Sequence, residues 1–68
     1  MPDKNIDKLF SIRRIGYNAL VKIQSTDDPN MYNANVVKIL SGDTKVTEGT
    51  SLSISKRELQ LIGRPYSV

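Results

Sequence analysis

The chain has 68 residues and contains neither cysteine nor histidine. That length holds one small domain whose core must stabilise it without disulfides, and it excludes a two-domain enzyme, a Rossmann unit or a barrel of eight βα units. Cys/His zinc sites and nucleophile–base pairs built on Cys or His are excluded as well, while ten Lys/Arg against seven Asp/Glu leave a mild charge of +3.

The opening Met1-Pro2-Asp3-Lys4 shows no charged region leading into an apolar run, so no secretory leader is expected. No apolar stretch approaches the roughly 18–20 residues that a bilayer span takes. The expected location is the cytoplasm, of a cell or of an infected host, with no membrane partner. Hydrophobic residues at 38% and charged residues at 25% fit a folded domain.

The first segment reads in two ways. Asp3 is a candidate N-cap, and Ile6, Leu9 and Phe10 have the i, i+3, i+4 spacing of a short amphipathic helix. The other reading is a strand with Phe10 and Ile12 on one face. Both bury Phe10.

From Ile15 the alternation is regular. Ile15, Tyr17, Ala19, Val21 and Ile23 share one face, and Asn18, Lys22 and Gln24 the other, with Leu20 the lone apolar residue on the polar side. Period two over this length predicts a half-buried strand. The run Ser25 to Asn30 is turn chemistry, with Pro29 fixing φ and Asx and Ser/Thr side chains bonding to local backbone.

In the next strand Tyr32, Ala34 and Val36 share a face before the apolar phase moves to Val37 and Ile39, which predicts a β-bulge or strong bend. Ser41-Gly42-Asp43 is a turn. Thr44 to Thr47 and Thr50 to Ile54 read as two short strands or as one strand interrupted by a loop. Ser55-Lys56-Arg57-Glu58 has the form of a capping box. Only Leu59-Gln60-Leu61-Ile62 follows it, so a single helical turn leading into a last strand is expected. Gly63 and Pro65 then close the domain, with Tyr66 to Val68 as a tail.

Five short strands joined by tight turns predict an all-β protein, a small five-stranded barrel. Closing the sheet protects strand edges that would otherwise pair with other chains. The expected domain spans 1–68, with a core of about 15–62, an N-terminal segment 1–14 and a tail 63–68. Its expected buried set is Tyr17, Val21, Tyr32, Val36, Ile39, Ile54, Leu59 and Leu61.

The pattern Tyr32-x-Ala34-x-Val36-x-x-Ile39 followed by a glycine turn resembles the second and third strands of Tudor-type, SH3-like barrels. Leu52-x-Ile54 through Leu59-Gln60-Leu61-Ile62 is similar to that fold's strand, single 3₁₀ turn and closing strand. The spacing of Asp28-Pro29, Tyr32, Val36 and Ile39 with the Arg64-x-Tyr66 exit also resembles the C-terminal DNA-binding barrel of retroviral integrases. The resemblance covers Ile15 to Ile62. It implies an SH3-like fold and a binding function. Fold alone does not determine function.

The chain departs from methyl-reading Tudor domains. Those hold a methylated cation in a cage of ring faces, and the aromatics here are Phe10, Tyr17, Tyr32 and Tyr66, of which the first three are expected in the core. A methyl-reader is not expected.

Arg13-Arg14 and Lys56-Arg57 are the basic pairs, with Lys22, Lys38, Lys45 and Arg64 scattered between them. On a barrel, the first strand and the turn before the last can converge on one rim and form a phosphate-binding patch. The residues expected to contact nucleic acid are Arg13, Arg14, Lys22, Lys56 and Arg57. The bland alternative is solubilising charge.

Asp27-Asp28 lacks the EF-hand pattern, and Ser41-Gly42-Asp43 lacks the P-loop pattern, so no metal and no cofactor is expected. No catalytic residue is assigned and no enzyme activity is expected, because without histidine only lysine or carboxylates remain as bases.

Two functions fit. One is a nucleic-acid-associated binding module acting through a basic rim. The other is a protein–protein adaptor or inhibitor that docks on a larger machine through a strand edge or an apolar rim of Leu20, Met31 and Tyr32. Either is compatible with a monomer or a homodimer.

Overall fold

A computed structural model describes residues 4–43 and 45–66. The elements run β1 (Leu9–Arg14), β2 (Tyr17–Ser25), β3 (Met31–Gly42), β4 (Ser51–Ser55), α1 (Lys56–Ile62) and β5 (Gly63–Pro65). The strands form one antiparallel sheet in the order β4-β3-β2-β1-β5. The protein is therefore all-β but for one short helix.

Of the two readings of the N-terminal segment, the strand is the one adopted by Leu9–Arg14, while residues 4–7 form a turn. Phe10 and Ile12 alternate with Ser11 and Arg13, so two buried side chains fasten β1 to the core, at 7% and 1% exposure. The Asp3 cap lies outside the described residues.

Arg14 pairs with Tyr17, which leaves Ile15 and Gly16 as a two-residue hairpin loop. Ile15 is therefore not on the inner face of β2. It stands fully exposed at the loop, because the strand phase begins only after the turn.

Asn18 pairs with Ser41 and Ala19 with Ile39, so Leu40 is skipped. Leu20 pairs with Lys38 and Val21 with Val36, so Val37 is skipped. These are two bulges, and the second falls where the apolar phase changes in the sequence. Each extra residue kinks β3 and increases its twist. The skipped side chains Val37 and Leu40 face solvent.

The core lies on one face of the sheet, with Ile12, Val21, Ile23, Val36 and Ile54 its largest fully buried side chains. Tyr17 and Ile39 are partly buried against it. Leu20, on the other face, is also buried at 8% exposure, contrary to its expected polar setting. Its cross-strand neighbours are Ser11 and Lys38, and a lysine stem covers apolar surface while its head stays in water.

The chain after β4 departs furthest from expectation. Lys56–Ile62 is a seven-residue α-helix, not a single 3₁₀ turn followed by a strand. Ser55 caps it, its Oγ accepting from the Glu58 N–H at 2.9 Å, and the residues that follow are mostly good helix formers. Leu59 is buried against the core, whereas Leu61 is 76% exposed. Residues two apart share a face in a strand but lie on nearly opposite sides of a helix.

Gly63–Pro65 is the last strand, paired with β1 through Phe10, Ser11 and Ile12. The sheet thus extends beyond Ile15 to Ile62 on both sides. Residues 45–47 are not a strand, and Thr44 lies outside the described residues.

Candidate nucleic-acid interface

The strands contain five charged residues, Arg13, Arg14, Lys22, Lys38 and Arg64, and not one is acidic. Among the described residues, aspartate and glutamate are confined to turns, loops and the helix. Asp and Glu are depleted in strands generally, and it is their absence, not an excess of Lys and Arg, that leaves the sheet positive.

Strand register decides which of these cations share a face. Lys38 lies opposite Leu20, Leu20 opposite Ser11, and Ser11 opposite Arg64, on a row crossing β3, β2, β1 and β5. Three strand spacings separate Lys38 from Arg64, about 14 Å between backbones. Arg13 is opposite Asn18 and Lys22 opposite Leu9, so these two stand on either side of that row. Their separation along the strands is about 13 Å. The result is a diamond of four cations around Leu20, on the face away from the core.

All four are exposed, and among the described residues none of them is in an ion pair. Solvated, uncompensated cations add their fields rather than cancelling them. The rest of the face is uncharged, and its polar side chains bond to one another in pairs. Asn18 Nδ2 donates to Ser41 Oγ at 2.8 Å, and Asn33 Nδ2 donates to Gln24 Oε1 at 3.1 Å. Ser11, Arg13, Asn18, Leu40, Leu61 and Arg64 line a concavity of about 580 Å³ at one side of the diamond.

The expected contact set is thereby divided. Arg13 and Lys22 lie on this face. Arg14, next along β1, points the other way, its guanidinium donating to Ser53 O at 3.1 Å and meeting Glu58 Oε2 at 3.4 Å. In a full capping box Glu58 would turn back to the Ser55 N–H; here its carboxylate meets Arg14. Lys56 lies half-buried, its Nζ 5.3 Å from the centre of the Tyr32 ring, a cation–π distance. Arg57 is exposed on α1 and is not on a strand.

Lys38 and Arg64 were not in the expected set. Neither stands near another basic residue in sequence, and only the register brings them to Arg13 and Lys22. The signal in the sequence was the absence of acidic residues from every strand.

The apolar rim fares differently. Leu20 and Tyr32 are buried, at 8% and 3% exposure, so of the three expected residues only Met31 is partly accessible. Tyr32 faces the core and its hydroxyl accepts from Asn5 Nδ2 at 3.4 Å.

Among the described residues, no group of three or more His, Cys, Asp or Glu side chains is placed to hold a metal ion. No helix among them is long and apolar enough to cross a membrane. Compared with protein-family models, curated proteins and solved structures, the chain matches none.

Proposed function

We propose that this protein is a non-enzymatic, nucleic-acid-associated binding module of the cytoplasm, of a cell or an infected host. The observation that carries the reading is the four-cation face of a sheet without acidic residues. Phosphate contacts from Lys and Arg supply most of non-specific nucleic-acid affinity. Arg13, Lys22, Lys38 and Arg64 are the contacts in this reading, and Arg14 has a structural role.

We further propose that the sheet closes into an SH3-like barrel. Support comes from Arg14, which reaches from β1 to the Ser53 carbonyl on β4, the strand at the far edge of the sheet. A helical connection between β4 and β5, with β5 returning to β1, also fits that fold.

The test is fluorescence anisotropy with a labelled duplex at low salt. Arg13→Ala/Arg64→Ala should weaken binding roughly tenfold or more, because two phosphate contacts are removed. Absence of binding by the unaltered protein at low salt, to the duplex and to a single strand alike, would exclude the reading.

A further inference from the structure

Tyr66 lies at the margin of the cation face, and its placement bears on which nucleic acid the face takes. Its N–H donates to Leu9 O at 2.9 Å, so the backbone is tied to β1 and is not a free tail at this position. The β1–β5 pairing of Phe10 with Pro65 and Ser11 with Arg64 sets Tyr66 opposite Leu9 one step further on. Leu9 is itself opposite Lys22. Tyr66, Leu9 and Lys22 therefore form a second row, parallel to Arg64, Ser11, Leu20 and Lys38 and on the same face.

The other aromatic side chains belong to the inner side. Phe10 and Tyr32 are core residues and Tyr17 packs against them. Tyr66 remains 45% exposed. With Lys4, Asn5, Lys8, Leu9, Phe10 and Pro65 it lines a concavity of about 310 Å³ whose walls, among the described residues, hold no acidic side chain.

A ring held at its backbone, open on one side and flanked by cations, is the combination that takes an unstacked base with its phosphates. Such stacking tolerates any base, since each has a π-face. A duplex keeps its bases stacked on one another and offers the ring none except at an end.

We propose that Tyr66 is a stacking platform for one unpaired base, with Lys8, Lys22 and Arg64 beside it for the adjoining phosphates, so that the preferred ligand is single-stranded nucleic acid. This rests on the nucleic-acid reading above and names the form of the ligand.

Anisotropy titrations with a labelled oligo-dT strand and with a duplex of equal length test it. The single strand should bind more tightly than the duplex at equal salt. Tyr66→Ala should weaken single-strand binding about fivefold or more, while Tyr66→Phe, which keeps the ring, should stay close to the unaltered protein. Duplex binding should be insensitive to both changes. Because the ring is half-exposed, an unchanged thermal midpoint for Tyr66→Ala will separate lost stacking from lost folding. Equal or tighter duplex binding, or a Tyr66→Ala protein that keeps single-strand affinity, would overturn the stacking role and leave the phosphate-binding reading standing. No binding to either ligand would overturn both.

Discussion

Gly42→Ala should remove much of the stability of the domain. At φ +91° Gly42 occupies a region that L-residues adopt only under strain, at a cost of about 1–2 kcal/mol. An added Cβ would also run into the Gly16 carbonyl oxygen and lie 2.5 Å from Tyr17 Cα, both backbone atoms that cannot rotate away. The tight contact follows from topology: Tyr17 opens β2 directly after the two-residue turn, and Gly42 is its partner at the end of β3. Strain and steric conflict together predict a loss of about 3 kcal/mol or more. A domain of this size has only about 3–10 kcal/mol in total.

Gly49→Ala is the control. Gly49 has a similar φ of +88° but, among the described residues, nothing within 4 Å of the added atom. Its cost should be the conformational part alone, about 1–2 kcal/mol. Urea unfolding followed by circular dichroism measures both. Equal losses for the two variants would contradict the close approach of the β1–β2 turn to the end of β3.

The second large effect separates two residues that a strand would treat alike. Leu59→Ala removes a side chain that is 2% exposed and packed in the core, which should cost about 2–4 kcal/mol. Leu61→Ala removes one that is 76% exposed, and should change stability by less than about 0.5 kcal/mol. If residues 59–62 formed a strand, both leucines would face the core and both variants would be damaged. A large loss at Leu61 would therefore contradict α1.

The sequence was most informative where a periodic run was long. The alternation through Tyr17 to Ile23, the turn chemistry from Ser25 to Asn30 and the phase change at Val37 each correspond to a feature of β2, its loop or β3. β1 was ambiguous because Phe10 and Ile12 are only two alternating apolar residues, and Ile6, Leu9 and Phe10 also satisfy a helical spacing. At Leu59-Gln60-Leu61-Ile62 the apolar stretch is too short for period to distinguish strand from helix. The capping box before it carried the better signal, and Ser55 does cap α1.

The candidate site was half legible for a different reason. Spacing within one strand shows which of its residues share a face, but with the first segment open to a helix or a strand, Arg13 and Arg14 are expected together and only β1 separates them. Spacing does not show which residues of another strand stand beside them. Lys38 and Arg64 join Arg13 and Lys22 only through pairings across β3, β2, β1 and β5, and the one that places Lys38 lies between two bulges. Leu20 illustrates the same limit: its face was correct, but its burial depends on neighbours supplied by other strands.

The salt dependence of duplex binding tests the cation face most directly, because it counts phosphate contacts. With Arg13, Lys22, Lys38 and Arg64 all engaged, log K against log salt should fall with a slope of about −3.6. In Arg13→Ala/Arg64→Ala the slope should shrink to about −1.8, and a further Lys22→Ala/Lys38→Ala should bring it close to zero. A slope that stays the same when these four residues are replaced would contradict the assignment of this face as the nucleic-acid interface.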